Sequence, residues 1–144
     1  MSFDEEVETM SVLMLKSILT SVVLLLAVGE AFSGMRLRGY FKRVRLPVKP
    51  LRLWHRAGGD VTLALTTVVG IICVSNLGFS LYTFRERAHV ALGALAGLAM
   101  VLKVVMARRY RRLLRQALKI GAVAGFSILG TFVLSALWYF LMDL

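Results

Sequence analysis

Cysteine, proline and histidine are scarce in this chain, and each scarcity closes off a class of protein. A single cysteine, Cys73, forms no intrachain disulfide and supplies no Cys-rich zinc or iron–sulfur motif. Only two prolines and two histidines occur among 144 residues, so long stretches run free of helix breakers. Acidic residues are few as well, eight against eighteen lysines and arginines, for a formal net charge of +10. There is no phosphate-binding glycine loop and no HExxH, and Cys73, the one thiol level with an imidazole, His89, lies in an apolar span where it reads as simple packing. No independent catalytic motif is present.

What the chain has in abundance is apolar sequence. Hydrophobic residues make up 58% of it and the mean hydropathy is +0.76, too apolar for a soluble domain of this size. The basic residues flank apolar runs and form no groove with interleaved aromatics, so the positive charge does not indicate nucleic acid. The expected architecture is all-α, a four-transmembrane-helix up-down bundle forming one integral membrane domain over residues 1–144. Its spans are expected at residues 11–33, 59–81, 88–107 and 120–142, each long enough for a hydrocarbon core of about 30 Å.

Before the first span, Asp4, Glu5, Glu6 and Glu8 stand without a lysine or arginine. That is the wrong sign for a cleaved signal peptide, so the first span reads as a retained helix. Residues 35–56 are dense in charge, from Arg36 and Arg38 through Lys42, Arg43, Arg45, Lys49 and Arg52 to Arg56. With Pro47 and Pro50 among them, the stretch reads as a loop on an anionic lipid surface. A second basic cluster, Arg108, Arg109, Arg111, Arg112, Arg115 and Lys119, follows the third span. Both clusters fall on one side. By the positive-inside rule that side is cytoplasmic, which places the N-terminus and C-terminus outside; the expected location is multi-pass in a cytoplasmic membrane.

Within the third span, His89, Gly93, Gly97, Met100 and Lys103 fall on one helical stripe at about 100° per residue, with His89 and Lys103 roughly 21 Å apart. Level positions on antiparallel neighbours bring Glu30, Asp60 and Lys103 to one height near the basic end, with Arg56 one turn before Asp60. Two readings of this cluster stand: an ion-pair group that fixes helix register, or a proton or quinone-headgroup site. Gly121 with Gly125, and Gly93 with Gly97, are GxxxG spacings for close packing within the bundle or against a partner subunit.

Spans two and three both carry the pattern His-x-x-x-Gly, His55 with Gly59 and His89 with Gly93. An imidazole with a nearby glycine suits a haem iron and its macrocycle. The two histidines differ in height by roughly 27–30 Å, so one haem in one copy does not take both. For a haem at His89 the second ligand would come from Met14, Lys16, Cys73 or Met142; for one at His55, from Met35 or Met106. A five-coordinate haem b, a chlorophyll-type pigment bound through magnesium, and no cofactor at all are the other readings. His55 also reads as an interfacial residue beside Trp54, His89 as a helix-cap residue, and Cys73 as simple packing.

Taken together, Lys16, the basic loop, His55-Arg56 with Gly59, the His89 helix leading to Lys103, and the closing Ser135-Ala-Leu-Trp-Tyr-Phe140 resemble an uncharacterised family of small four-helix bacterial membrane proteins, and that resemblance implies a bacterial inner (cytoplasmic) membrane. The histidine helices are similar to those of transmembrane b-type cytochromes and ferric-reductase-like proteins. That likeness implies a small subunit of a respiratory or photosynthetic electron-transfer complex, holding haem b or a related tetrapyrrole at His89. Members most like cytochromes carry a further histidine near the outer end of span two, where this chain reads Gly70-Ile-Ile-Cys73-Val-Ser-Asn76. The alternative is a cofactor-free accessory subunit that braces or recruits other membrane subunits through its helix faces and basic loops.

Overall fold

The structure, a computed structural model, describes residues 3–41, 47–77, 82–110 and 116–142, with side chains described for 11–41, 47–75, 82–110 and 116–141. Among the described residues every regular element is helical: α1 (Phe3–Leu37), α2 (Val48–Leu77), α3 (Phe84–Arg109), α4 (Ala117–Phe132) and a short α5 (Trp138–Met142). A π-turn over Val133–Leu137 joins α4 to α5, so the two continue as one span. Four segments are long and apolar enough to cross a membrane, Ser11–Leu37, Val48–Ser75, Phe84–Arg109 and Ala117–Leu141. This is the all-α, four-helix, multi-pass membrane protein that the hydropathy implies. Expectations for Lys42, Arg43 and Arg45, for residues 78–81 and for Arg111, Arg112 and Arg115 fall outside the described residues.

The helix ends follow from local chemistry. α1 stops in a Schellman motif: Gly39 takes a φ of +89°, Tyr40 N–H donates to the Met35 carbonyl and Gly39 N–H to that of Arg36. Phe41 then folds back onto Phe32, ring centroids 5.5 Å apart. α2 begins at Val48, eleven residues ahead of the expected Gly59. Pro47 and Pro50 do not hold residues 48–56 in a loop, because a proline in a first turn lacks only an N–H that would have no partner in the helix. α3 likewise starts early, at Phe84. Thr83 caps it by accepting from Glu86 N–H at 3.2 Å, while the Glu86 carboxylate accepts from Thr83 N–H at 3.1 Å.

The cross-section is turned inside out relative to a soluble bundle. Leu25, Leu98 and Phe126 are about seven-tenths exposed on the outer faces, 72%, 68% and 74%, where lipid would solvate them. Small and hydroxylated residues fill the interior: Ala96, Ala99, Ala124 and Ala136, with Ser17, Thr20, Thr62 and Ser127. Small side chains let helix backbones approach, which drives association where hydrocarbon offers no hydrophobic gradient. The hydroxyls are satisfied one turn back, Thr20 on the Lys16 carbonyl, Thr62 on that of Gly58 and Thr66 on that of Thr62, each at 2.8 Å. Around the bundle α1 packs on α2 and α4, and α3 on α4; α2 and α3 are the least engaged neighbours.

Ala136, fully buried in the π-turn, has no room for growth. Ala136→Leu is expected to cost about 1–3 kcal/mol by overpacking, whereas Leu98→Ala on the outer face should stay within about 0.5 kcal/mol. Reversible unfolding in mixed micelles measures both.

Candidate functional site

The residues singled out along the third span separate into two groups at opposite ends of the bundle. Near the basic end, the Glu30 carboxylate of α1 reaches across the interior to Lys103 of α3, Oε2 to Nζ 2.5 Å. Glu30 is nine-tenths buried and Lys103 about one-quarter exposed. The carboxylate lies on Gly58 and Gly59 of α2, where an added Cβ would stand 3.5 Å from its atoms. His55, one turn nearer the basic end, places Nδ1 2.9 Å from Ser33 Oγ, with its ring against Gly34, whose Cβ would come within 3.1 Å of Cε1.

Two members of the expected cluster lie elsewhere. Asp60 is half exposed and accepts from Arg108 Nη2 at 2.8 and 2.9 Å, and Arg56 is exposed. Height arithmetic put Asp60 level with Lys103 but carries no azimuth. The interior face of α2 is set by Gly58, Gly59 and Thr62, so Asp60, about 200° around from Thr62, points outward. Arg108, five residues beyond Lys103, is the cation on that side.

At the other end is a cavity of about 600 Å³, walled mainly by apolar side chains of all four spans and reaching the α2–α3 face. His89 lines it, with Lys16 and Thr20 from α1, Gly70 and Cys73 from α2, and Gly93. Gly70 and Gly97 have nothing within 4 Å of an added Cβ, and Gly93 meets only Thr131 Cγ2 at 3.8 Å. Here α2 and α3 leave space between them. The His89 imidazole lies beside the Thr131 backbone, just ahead of the π-turn that widens the fourth span. Its Nδ1 is buried and has no hydrogen-bond partner, a cost of about 1–3 kcal/mol for an uncharged group. Arg85, one turn before His89, lies over the Trp138 ring, 4.9 Å from its centroid.

Of the second-ligand positions named for His89, Lys16 and Cys73 are on the cavity wall. Met14 is 55% exposed, and the Met142 side chain lies outside the described residues. On the His55 side Met106 is buried and Met35 half-buried. Among the described residues no three His, Cys, Asp or Glu side chains converge on one metal position. Haem iron does not require such a group, since the macrocycle supplies four of its ligands. Ser33, Gly34 and Thr131 escaped the sequence reading, which also took Arg108 only as part of a basic cluster, although Ser33 and Gly34 sit three and four residues after Glu30, one turn away on its own face.

Over residues 2–143 the chain matches a family of unknown function, DUF6529, and it belongs to that family. No curated protein and no solved structure matches it. The kinship with an uncharacterised four-helix family expected from the motifs is thus correct.

The two ion pairs should differ sharply in worth. Lys103→Met strands Glu30 in the interior and is expected to cost about 3–5 kcal/mol; Asp60→Asn, at an exposed pair, should cost no more than about 1 kcal/mol. Detergent unfolding midpoints of the two variants, compared with wild type, check the contrast.

Proposed function

We propose that this protein is a small integral-membrane electron-transfer subunit that holds haem b, or a related tetrapyrrole, in the cavity beside His89. The observation that carries the reading is the His89 side chain on the wall of a 600 Å³ apolar cavity, its buried Nδ1 without a hydrogen-bond partner. Cofactor sites of this kind are concave, largely apolar and fitted with a few convergent polar groups. The residues present fit the group. Gly70 and Gly93, both on the cavity wall, leave clear the flat space that a macrocycle needs. Lys16 is the one charged side chain among the described residues lining the cavity, so the wall favours a ligand bearing carboxylates.

In this reading His89 would hold the iron, with the Lys16 amine or the Cys73 thiol on the same cavity wall available as a further ligand. Bound haem would supply one-electron chemistry. The chain's own part is to orient the imidazole against Thr131, to exclude water with an apolar wall, and to hold a cation near the carboxylates. Because the chain carries no independent catalytic motif, electrons are exchanged with other membrane subunits. The basic loops face the cytoplasm on anionic lipid and both termini lie on the outer side of a bacterial inner membrane, as their charge asymmetry favours.

Protein purified from its native membrane should show a Soret band that shifts on dithionite reduction and is lost in His89→Ala. Cys73→Ser or Lys16→Met should shift that band if the replaced side chain is the second ligand. A colourless wild-type preparation that remains fully folded rejects the haem and leaves the cofactor-free accessory subunit, bracing partners through its helix faces, as the reading.

A further inference from the structure

Away from the cavity, Glu30 raises a separate question of chemistry. Its Oε2 meets Lys103, but Oε1 is buried and has no hydrogen-bond partner. The groups around it can be named helix by helix. From α2 come Gly58, Gly59 and His55, and from α3 comes Lys103. From α4 the side chains turned into the bundle, Ala124, Ser127 and Ile128, carry no titratable group, and Lys119 is exposed. On its own helix Ser33 lies one turn on, its Oγ 3.0 Å from the Glu30 carbonyl and 2.9 Å from His55 Nδ1. Asp60, Arg56 and Arg108 are exposed on the outer surface.

Both serine contacts are hydrogen bonds at once in only one tautomer of the histidine. A hydroxyl has one proton and a carbonyl only accepts, so with Ser33 donating to the Glu30 carbonyl it accepts from His55 Nδ1–H. Neutral His55 therefore carries its proton on Nδ1 and offers Nε2 as the basic atom. That atom lies over Gly34, 3.7 Å from where a Cβ would stand, on the side of Glu30 facing the basic end. The ring is half-buried, between bulk water and the buried carboxylate.

We propose that Glu30 is a proton-binding site inside the bundle, in exchange with water at the basic end through His55. Both forms of the carboxyl have a structural account. Ionised, it pairs with Lys103. Protonated at Oε1, it is neutral and loses the cost of burying a charge, while the more exposed Lys103 keeps its own charge by extending its stem toward the surface. Loading breaks one O–H bond of hydronium and places that proton on His55 Nε2; the imidazolium then gives the Nε2 proton to Oε1, forming one O–H bond there, and returns to its neutral Nδ1–H form. The step is reversed by the same route and needs no reactant besides the protons of water. It stands whether or not a ligand occupies the His89 cavity.

Difference infrared spectra of the full chain in lipid nanodiscs, between acid and alkaline pH, test this. Wild type should show a carboxylic-acid C=O band that appears reversibly on acidification, is lost in Glu30→Gln and is shifted in Glu30→Asp, which also serves if the glutamine variant does not fold. His55→Gln keeps a donor for Ser33 but does not titrate; it should retain the band and slow its hydrogen–deuterium exchange severalfold. Acid–alkaline spectra unchanged by either Glu30 substitution overturn the site. Exchange as fast in His55→Gln as in wild type overturns the His55 route.

Discussion

An ion pair spanning the bundle interior, Glu30 on α1 to Lys103 on α3, is the interaction on which the rest of the arrangement depends. Either charge alone in a hydrocarbon-solvated bundle is strongly unfavourable, so each helix is held at the height where its charge meets the other. Gly58 and Gly59 complete the constraint, since the carboxylate rests against α2 where an added Cβ would stand 3.5 Å away, in van der Waals contact. Three helices are thereby fixed relative to one another at one end. Ser33 and Gly34 then receive His55 in the next turn, and of the polar atoms gathered there Glu30 Oε1 is left buried without a partner.

The opposite end has no counterpart to that pair. Lys16, His89 and Cys73 come to one wall, no acidic side chain is among the described residues lining it, and α2 and α3 stand apart beside glycines that touch little or nothing. Most of the polar groups between the two ends are hydroxyls bonded to their own helices, as at Thr20, Thr62 and Thr66. The molecule is thus closed at one end and hollow at the other. A closed end maintains the height and rotation of the helices, which is what lets a cavity at the far end keep its shape.

Much of this was legible in the sequence because hydropathy and charge are properties of segments. Four spans, two basic clusters on one side and the opposite placement of His55 and His89 follow from counting residues along helices. Counting also found Glu30 and Lys103, whose heights agree. It misled for Asp60, since height says nothing about direction around a helix, and that direction is set by which neighbours are small: Gly58, Gly59 and Thr62 claim the inner face. Helix starts were misjudged where a breaker sits in a first turn, as with Pro50, and where a cap extends a helix through charged residues, as with Thr83 and Glu86. The cavity was beyond reach for a further reason. It is defined by what does not touch Gly70 and Gly93, and the absence of a contact depends on all four spans at once.

The central claim is that this hollow end holds a tetrapyrrole, and native mass spectrometry of protein extracted gently from its membrane tests it most directly. Gly93→Leu would fill the cavity from a position that leaves His89 in place. Wild type should fly with a mass excess equal to one tetrapyrrole and Gly93→Leu as the bare chain. A bare wild-type chain, or the same adduct on both proteins, would contradict the account.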